Sequence, residues 1–91
     1  MKQIAGMTHK ISSTEVTDRA SFIKFINSLQ NEFKADPKAW ENHTLDSFLQ
    51  ALEAYTTDLQ GYYDNIHPDI NADIPSWRIF ADILKGATIY E

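Results

Sequence analysis

The most regular stretch of the chain is residues 44–63, which read TLDSFLQALEAYTTDLQGYY. Its apolar residues recur at steps of three and four, the spacing of one face of an α-helix. These residues are Leu45, Phe48, Leu49, Leu52, Tyr55, Leu59 and Tyr62. Thr44 precedes them as an N-cap, and Gly61 interrupts the pattern near its end. The spacing predicts a long central helix that ends near residue 63.

Upstream of this stretch, Asp18 is an N-cap and an apolar stripe follows it, which predicts a helix over residues 19–34. The stripe consists of Phe22, Phe25, Ile26, Leu29 and Phe33. Asp36-Pro37 then starts a single helical turn near 37–41. We expect Trp40, at the end of this turn, to pack across the seam between two longer helices.

Downstream, residues 64–75 contain two prolines and five Asp or Asn residues, which predicts a loop. Ser76 is placed to cap a last helix. Its predicted inward stripe is Trp77, Phe80, Ala81, Leu84 and Ala87. We expect Gly86 to lie inside this helix, with Ile89 and Tyr90 still helical.

Taken together, these segments predict an all-α protein. The fold is a small three-helix bundle with an extra helical turn near 37–41 and a flexible or extended N-terminal segment. A chain of 91 residues fits one domain. We expect a tail or short extended segment over 1–16 and a single helical domain over 17–91.

Composition excludes several classes of protein. There is no cysteine, which removes disulfides and thiolate metal sites, and the net charge of −5 argues against a nucleic acid partner. No apolar run approaches the roughly 20 residues of a membrane span, and the first residues do not resemble a secretory signal. We therefore expect a cytoplasmic protein with no membrane partner.

The motifs for metal and catalytic sites are incomplete. Asp69, Asn71 and Asp73 have the spacing of a calcium loop, but Ile74 and Phe80 stand where that loop needs Gly and Glu. No second histidine is placed beside His67 in sequence. No spacing indicates a catalytic pair or a phosphate loop. We expect no enzyme activity, no metal and no cofactor.

Charge is distributed unevenly along the chain. Residues 1–40 carry six Lys or Arg and four Asp or Glu, whereas residues 41–91 carry two and nine. The acidic residues that we assign to a partner-binding surface are Asp46, Glu53, Asp58 and Asp64, which Asp69 and Asp73 extend. A solvated face explains the same charges without a partner. A basic protein partner is the functional alternative.

The paired tyrosines and the start of the last helix supply three further candidates for partner binding. Tyr62 continues the apolar stripe, so we expect it to face the core and Tyr63 to be partly exposed and the better candidate for a surface contact. Helix-end packing with a bonded hydroxyl is the alternative for Tyr63. Trp77 and Arg78 lie where the end of the central helix is expected to meet the last helix. Arg78 is placed to pair with Asp82 one turn on, or with Asp64 or Glu91 across that junction.

The chain from about residue 17 to 91 resembles a small bacterial family known only as a domain of unknown function. The shared residues are Trp40-Glu41-Asn42 with Thr44-Leu45, Phe48-Leu49-x-Ala51-Leu52, Gly61-Tyr62-Tyr63, Pro75-Ser76-Trp77-Arg78-x-Phe80-Ala81-x-x-Leu84 and Ala87-x-x-Tyr90-Glu91. Gly86 departs from this pattern, where Ala is expected. The resemblance implies the extent of the domain and no particular chemistry.

Small size, acidity and the lack of catalytic motifs favour a non-enzymatic protein–protein interaction module, for example an immunity-type inhibitor of a basic toxin. One alternative is a small-molecule or metal-binding regulatory domain that uses the 64–75 loop and Trp77. Another is a structural homodimer formed through Phe22, Phe25 and Phe33 of the first helix.

Overall fold

Each of the three α-helices begins directly after a residue that caps it. The computed structural model describes residues 10–91. Its α-helices are α1 (Arg19–Ala35), α2 (Leu45–Ile66) and α3 (Trp77–Ala87). Side-chain oxygens of Asp18, Thr44 and Ser76 accept hydrogen bonds of 2.8–3.1 Å from backbone N–H groups of the first turns. These bonds satisfy donors that a helix start leaves free, and they confirm the three predicted caps.

Two short 3₁₀ helices complete the secondary structure of the described residues, and no strand occurs there. Pro37–Ala39 lies between α1 and α2, and its C-cap is Trp40. Ser13–Glu15 precedes α1. The predicted all-α fold with three helices and an extra helical turn near 37–41 is confirmed. None of the helices within 10–91 has the length and apolarity that crossing a membrane requires.

The N-terminal segment belongs in part to the packed domain. Residues 1–9 of the predicted tail lie outside the described residues. Val16 is fully buried with Phe25, Leu29 and Ala81, and Ile11 packs against the same cluster. Two residues of the segment before residue 17 therefore contact the core of the helical domain.

The shortest helix, α3, lies between the other two. Tyr63 reaches Asp82 while Tyr55 packs at Gly86, so α2 and α3 run antiparallel. Phe22 packs on Trp77, and Glu32, further along α1, pairs with Lys85, further along α3, so α1 and α3 run in the same direction. Ala81 joins the core cluster shared with α1, and Ile79 joins the cluster of Leu59 and Tyr63. The longest helix was expected to be central, but α3 holds that position.

Two helix ends differ from the expected ones. α2 continues to Ile66, one turn beyond the predicted end, and stops before Pro68. α3 ends at Ala87, so Gly86 is helical as expected, whereas the expectation that Ile89 and Tyr90 are helical is wrong.

The inward face of α3 also differs from the prediction. Trp77 and Phe80 were expected to point inward, but both are exposed, and the buried residues are Ile79, Ala81, Asp82 and Ala87. The carboxylate of Asp82 accepts a buried hydrogen bond from Tyr63, so the inward face of α3 includes a charged residue and is not the purely apolar stripe.

Asn42, which lies between α1 and α2, connects this part of the chain to the end of α3 and the residues after it. Its side-chain Nδ2 donates to the carbonyl oxygens of Ala87 (2.9 Å) and Tyr90 (2.7 Å). Its backbone N–H donates to the carbonyl of Thr88 at 3.0 Å. The last carbonyls of a helix have no partner within it, so Asn42 satisfies groups that α3 leaves free. The phenol of Tyr90 in turn donates to Asp58 of α2.

Candidate functional site

An open apolar groove lies between α1 and the first half of α2. Its volume is about 400 Å³. The residues that line it are Ile26, Leu29, Gln30, Phe33, Trp40, Asn42, His43, Thr44, Leu45, Phe48 and Leu84. No Lys, Arg, Asp or Glu is among them.

The groove arises from a difference in helix length. α2 has 22 residues and α3 has 11, which correspond to about 33 Å and about 16 Å at 1.5 Å per residue. α3 packs against the second half of α2, where Tyr55, Leu59 and Tyr63 contact it or lie beside it. It is too short to cover the first half.

A row of leucines seven residues apart shows this change in burial along α2. Leu59 is 2% exposed, Leu52 is half-buried and Leu45 is 75% exposed. Leu49, beside this row, is 51% exposed. The row lies on one side of the helix because seven residues make nearly two turns. Leu45 and Leu49 belong to the predicted apolar face of the helix, but both are exposed because no described helix covers their end of α2.

Trp40 forms one wall of the groove. Its ring centroid lies 4.9 Å from that of Phe33 in α1 and 6.0 Å from that of Phe48 in α2. The predicted packing of Trp40 across the seam between two longer helices is confirmed. Its indole N–H donates to Glu32 Oε1 at 2.9 Å, which fixes the ring.

Glu32 links Trp40 to two other parts of the fold. Its carboxylate pairs with Lys85 of α3 at 3.0 Å and with Lys10 of the N-terminal segment at 3.1 Å. Burial acts to raise the pKa of Glu32, but the hydrogen bonds from Lys85, Trp40 and Lys10 outweigh it and hold the pKa below its ordinary value of 4.5. The carboxylate is therefore charged at neutral pH.

An acidic row follows the leucine row along α2. Asp46 directly follows Leu45 and Glu53 directly follows Leu52, so both carboxylates lie about 100° around the helix from the leucines. Both are exposed. From residue 39 to residue 77 the chain has seven Asp or Glu and no Lys or Arg. Among the described residues, no acidic side chain of α2 is in an ion pair.

The other predicted acidic residues lie toward the second half of α2 and in the loop. Asp58 accepts the hydrogen bond from Tyr90, and Asp64 accepts one from Gln60 at 3.0 Å. Asp64 is helical, because α2 extends past the predicted start of the loop. Asp69 and Asp73 are exposed. Of the predicted acidic residues, Asp46 and Glu53 are therefore the two that flank the leucine row.

The predicted roles of the paired tyrosines are reversed. Tyr63 was expected at the surface, but it is 0% exposed, whereas Tyr62 is 45% exposed. The phenol of Tyr63 donates to Asp82 Oδ2 at 2.5 Å. Burial first, and then this hydrogen bond, raise the pKa of Tyr63 well above its ordinary value. Tyr63 is thus a structural residue of the α2–α3 contact and does not reach a partner.

Arg78 is part of the same polar contact. Its Nε lies 3.4 Å from Asp82 Oδ2, which confirms the pairing with the residue one turn on and leaves Asp64 and Glu91 without this partner. The junction that was expected to hold a binding site therefore contains side chains that bind one another.

Trp77 lies at the other end of the surface between α1 and α3. Its ring packs on Phe22 and Phe80, at centroid distances of 5.3 and 5.8 Å. Phe22 is one turn before Ile26, and Phe80 is one turn before Leu84, and both of those residues line the groove. Trp77 thus extends the exposed apolar surface beyond the groove.

The loop before α3 is fixed by its own polar groups. Asn71 Oδ1 accepts the backbone N–H of Asp73 at 2.8 Å. Gln60 of α2 donates to the carbonyl of Ile70 and accepts the N–H of Ala72, at 3.1 and 2.7 Å. No group of three metal-ligating side chains occurs in the described part of the chain.

Sequence reasoning missed the groove, although one signal for it was present. The predicted central helix is much longer than the helix that follows it, and a short neighbour leaves part of a long apolar face uncovered. The spacing of Leu45, Phe48 and Leu49 places them on the apolar face of the helix but does not show how much of that face is covered.

Fold and site together define a small all-helical protein with an open apolar groove beside an acidic helix face. Residues 18–91 match the model of the Family of unknown function (DUF7660), and the chain belongs to this family. The match confirms the family expected from the sequence, with nearly the same extent. No curated protein and no solved structure matches the chain.

Proposed function

We propose that this protein is a non-enzymatic interaction module that binds a basic protein partner through the acidic face of α2. The observation that supports this most directly is the lack of any Lys or Arg from residue 39 to residue 77, where seven acidic residues occur. Charges of one sign on a surface speed the association of an oppositely charged partner and select against others.

The apolar residues beside these charges distinguish this surface from a merely solvated one. Leu45 and Leu49 are more than half exposed on the same part of α2 as Asp46 and Glu53. A solvated helix face needs no exposed leucines, whereas protein interfaces combine an apolar centre with a polar rim.

The buried polar groups support the non-enzymatic part of the proposal. Tyr63, Asp82 and Arg78 contact one another between α2 and α3. Burial raises the pKa of Tyr55 to about 12, so this phenol stays protonated at neutral pH. Their contacts explain these groups as structural, and none of them needs a substrate. An immunity-type inhibitor of a basic toxin is one version of such a module.

The homodimer alternative has less support in its original form. Phe25, one of the three phenylalanines expected at that interface, is 2% exposed and packs inside the domain. The loop alternative has less support because the Asn71 side chain bonds the loop's own backbone and the loop backbone bonds Gln60 of α2.

Charge reversal with a matched control tests the proposal. The test variant carries Asp46→Lys and Glu53→Lys, and the control carries Asp36→Lys and Glu91→Lys, which change the net charge equally at other exposed positions. Each partner recovered by affinity purification is expressed and purified by itself. Its affinity for the parent protein and for both variants is then measured at two salt concentrations. We expect the test variant to lose at least tenfold in affinity, and the control to stay within about twofold. Equal effects of both variants, or affinity that is independent of salt, would contradict the proposal.

A further inference from the structure

The first half of α2 has the surface of a helix that lacks its packing neighbour. Leu45 and Leu49 are exposed there, while the same row of leucines is buried by α3 further along. A packing interface between helices normally buries such a row. The uncovered part runs from Leu45 to about Tyr55, which is about 15 Å at 1.5 Å per residue.

The geometry of the groove selects the kind of segment that fits it. Both walls are helical, with Ile26 and Phe33 from α1 and Phe48 from α2. The described residues offer no strand edge with which an extended peptide can pair. An amphipathic helix in a groove is a common mode of peptide recognition that suits helical walls, and about three turns of helix match the uncovered length.

Charge identifies the chemistry of the helix that fits. No Lys, Arg, Asp or Glu lines the groove, and the acidic row of Asp46 and Glu53 lies on the far side of the leucine row from the groove residue Phe48. Neither carboxylate is in an ion pair within residues 10–91, although Asp46 accepts a hydrogen bond from Gln50. A helix with apolar residues on one side and Lys or Arg beside them is complementary to this arrangement.

We infer that the groove binds an amphipathic basic helix of the partner protein. That helix lies over the exposed leucines Leu45 and Leu49. Its apolar side chains contact them and the groove wall of Phe48 and Trp40 on one side, and its Lys or Arg side chains contact Asp46 and Glu53 on the other. This inference rests on the proposed function, and it adds the contact surface and the form of the partner's binding segment.

Trp40 allows binding to be measured with defined peptides. In a Trp77→Phe variant, Trp40 is the single tryptophan of the protein. The probe is a synthetic peptide of about 14 residues with Leu at helical spacing and Lys elsewhere. One comparison peptide replaces every Lys by Glu, and another replaces every Leu by Ser. We expect a saturable change in Trp40 emission with the Leu/Lys peptide and at least tenfold weaker binding of both comparison peptides.

Paired variants locate the binding site on the protein. Leu45→Gln with Leu49→Gln changes an exposed leucine that lines the groove and a second exposed leucine beside it on α2. The control, Ile74→Gln with Ile89→Gln, changes two residues of similar exposure, 63% and 64%, elsewhere. We expect the Leu45/Leu49 variant to bind the Leu/Lys peptide at least tenfold more weakly and the Ile74/Ile89 variant to bind it within about twofold of the parent.

The failures of the two proposals are distinguishable. If the Asp46/Glu53 reversal weakens binding but the Leu45/Leu49 variant does not, the groove inference is overturned and the acidic face retains its support. If only the Leu45/Leu49 variant weakens binding, the requirement for a basic helix is overturned, and with it the proposed function in its acidic form. Lack of saturable binding up to about 1 mM peptide also overturns the inference.

A second copy of the chain is the other occupant that the experiment detects. Light scattering on the parent and on the Leu45/Leu49 variant measures the mass at the concentration of the titration. We expect a monomer in both cases. A dimer that the variant converts to a monomer would show that the groove is covered by a second copy, and this result would overturn the inference.

Discussion

The two halves of α2 carry the same row of leucines but place it in opposite surroundings. In the second half, Leu59 is buried against α3 with Tyr63 and Ile79. In the first half, Leu45 projects beside an open groove. Amphipathic spacing therefore identifies the apolar side of a helix, whereas the length of the neighbouring helix decides how much of that side is buried.

The largest expected effect tests this comparison directly. Leu59→Ala removes a fully buried side chain, so we expect the free energy of unfolding to fall by about 2–5 kcal/mol. Leu45→Ala removes an exposed one, and we expect a change within about 0.5 kcal/mol. Urea unfolding monitored by circular dichroism measures the free energy of unfolding of both variants. Similar losses would mean that Leu45 is covered in solution, and the comparison would fail.

The paired tyrosines sharpen the comparison within a single turn. Tyr63→Phe removes the donor to the buried carboxylate of Asp82, and we expect a loss of about 1–3 kcal/mol. Tyr62→Phe changes a side chain at the surface, and we expect no more than about 0.5 kcal/mol. The same unfolding measurement compares them. If Tyr62→Phe were the more destabilising variant, the burial assigned to the two residues would be wrong.

The two helical glycines are expected to respond with opposite signs. A Cβ at Gly86 would lie 2.3 Å from the ring of Tyr55, whereas at Gly61 it would meet nothing within 4 Å. Overpacking costs about 1–3 kcal/mol and helix propensity returns about 1 kcal/mol, so we expect Gly86→Ala to lose up to about 2 kcal/mol. Gly61→Ala should gain up to about 1 kcal/mol. Thermal unfolding of both variants checks the signs, and a stabilised Gly86→Ala would contradict the close contact of α2 and α3 there.

The smallest expected effect is on the pH response of the open half. Because the pKa of Glu32 is lowered in the folded protein, its stabilisation is complete above the ordinary value of 4.5 and is lost as pH falls through the lowered value. Glu32→Gln should cost about 1 kcal/mol at neutral pH and remove this part of the pH dependence. Trp40 emission in the Trp77→Phe background, measured from neutral to acid pH, follows the loss of this stabilisation. An unchanged acid response in Glu32→Gln would show that another group is responsible.

Local signals made most of the secondary structure predictable. The caps Asp18, Thr44 and Ser76 act within three residues of themselves, so the sequence identifies them without knowledge of the rest of the fold. The role of Trp40 followed from its place between two apolar stripes. The functions of Asn42 and Glu32 were not predictable, because their partners are 45 and 53 residues away.

The reversed tyrosines and the turned face of α3 have one cause. Tyr62 and Tyr63 both fit a spacing of three or four residues, and the contact with Asp82 decides between them. Asp is a residue type that usually lies at the surface. The apolar pattern of α3 therefore predicts Trp77 and Phe80 as buried and does not predict the burial of Asp82. The groove escaped prediction because the spacing of Leu45 is that of a core residue.

The position of α3 between the other helices also has a consequence for the order of folding. The α2–α3 contact of Tyr63 with Asp82 closes a segment of 19 residues, whereas the α1–α3 contact of Glu32 with Lys85 closes 53. Closing a longer loop costs more chain entropy, so we expect the α2–α3 hairpin to form first and α1 to dock afterwards. Truncation of Phe25 in α1 should then speed unfolding in stopped-flow experiments while changing the folding rate little. On this view the wall of the groove that α1 supplies is the last part of the protein to assemble and the first to come apart.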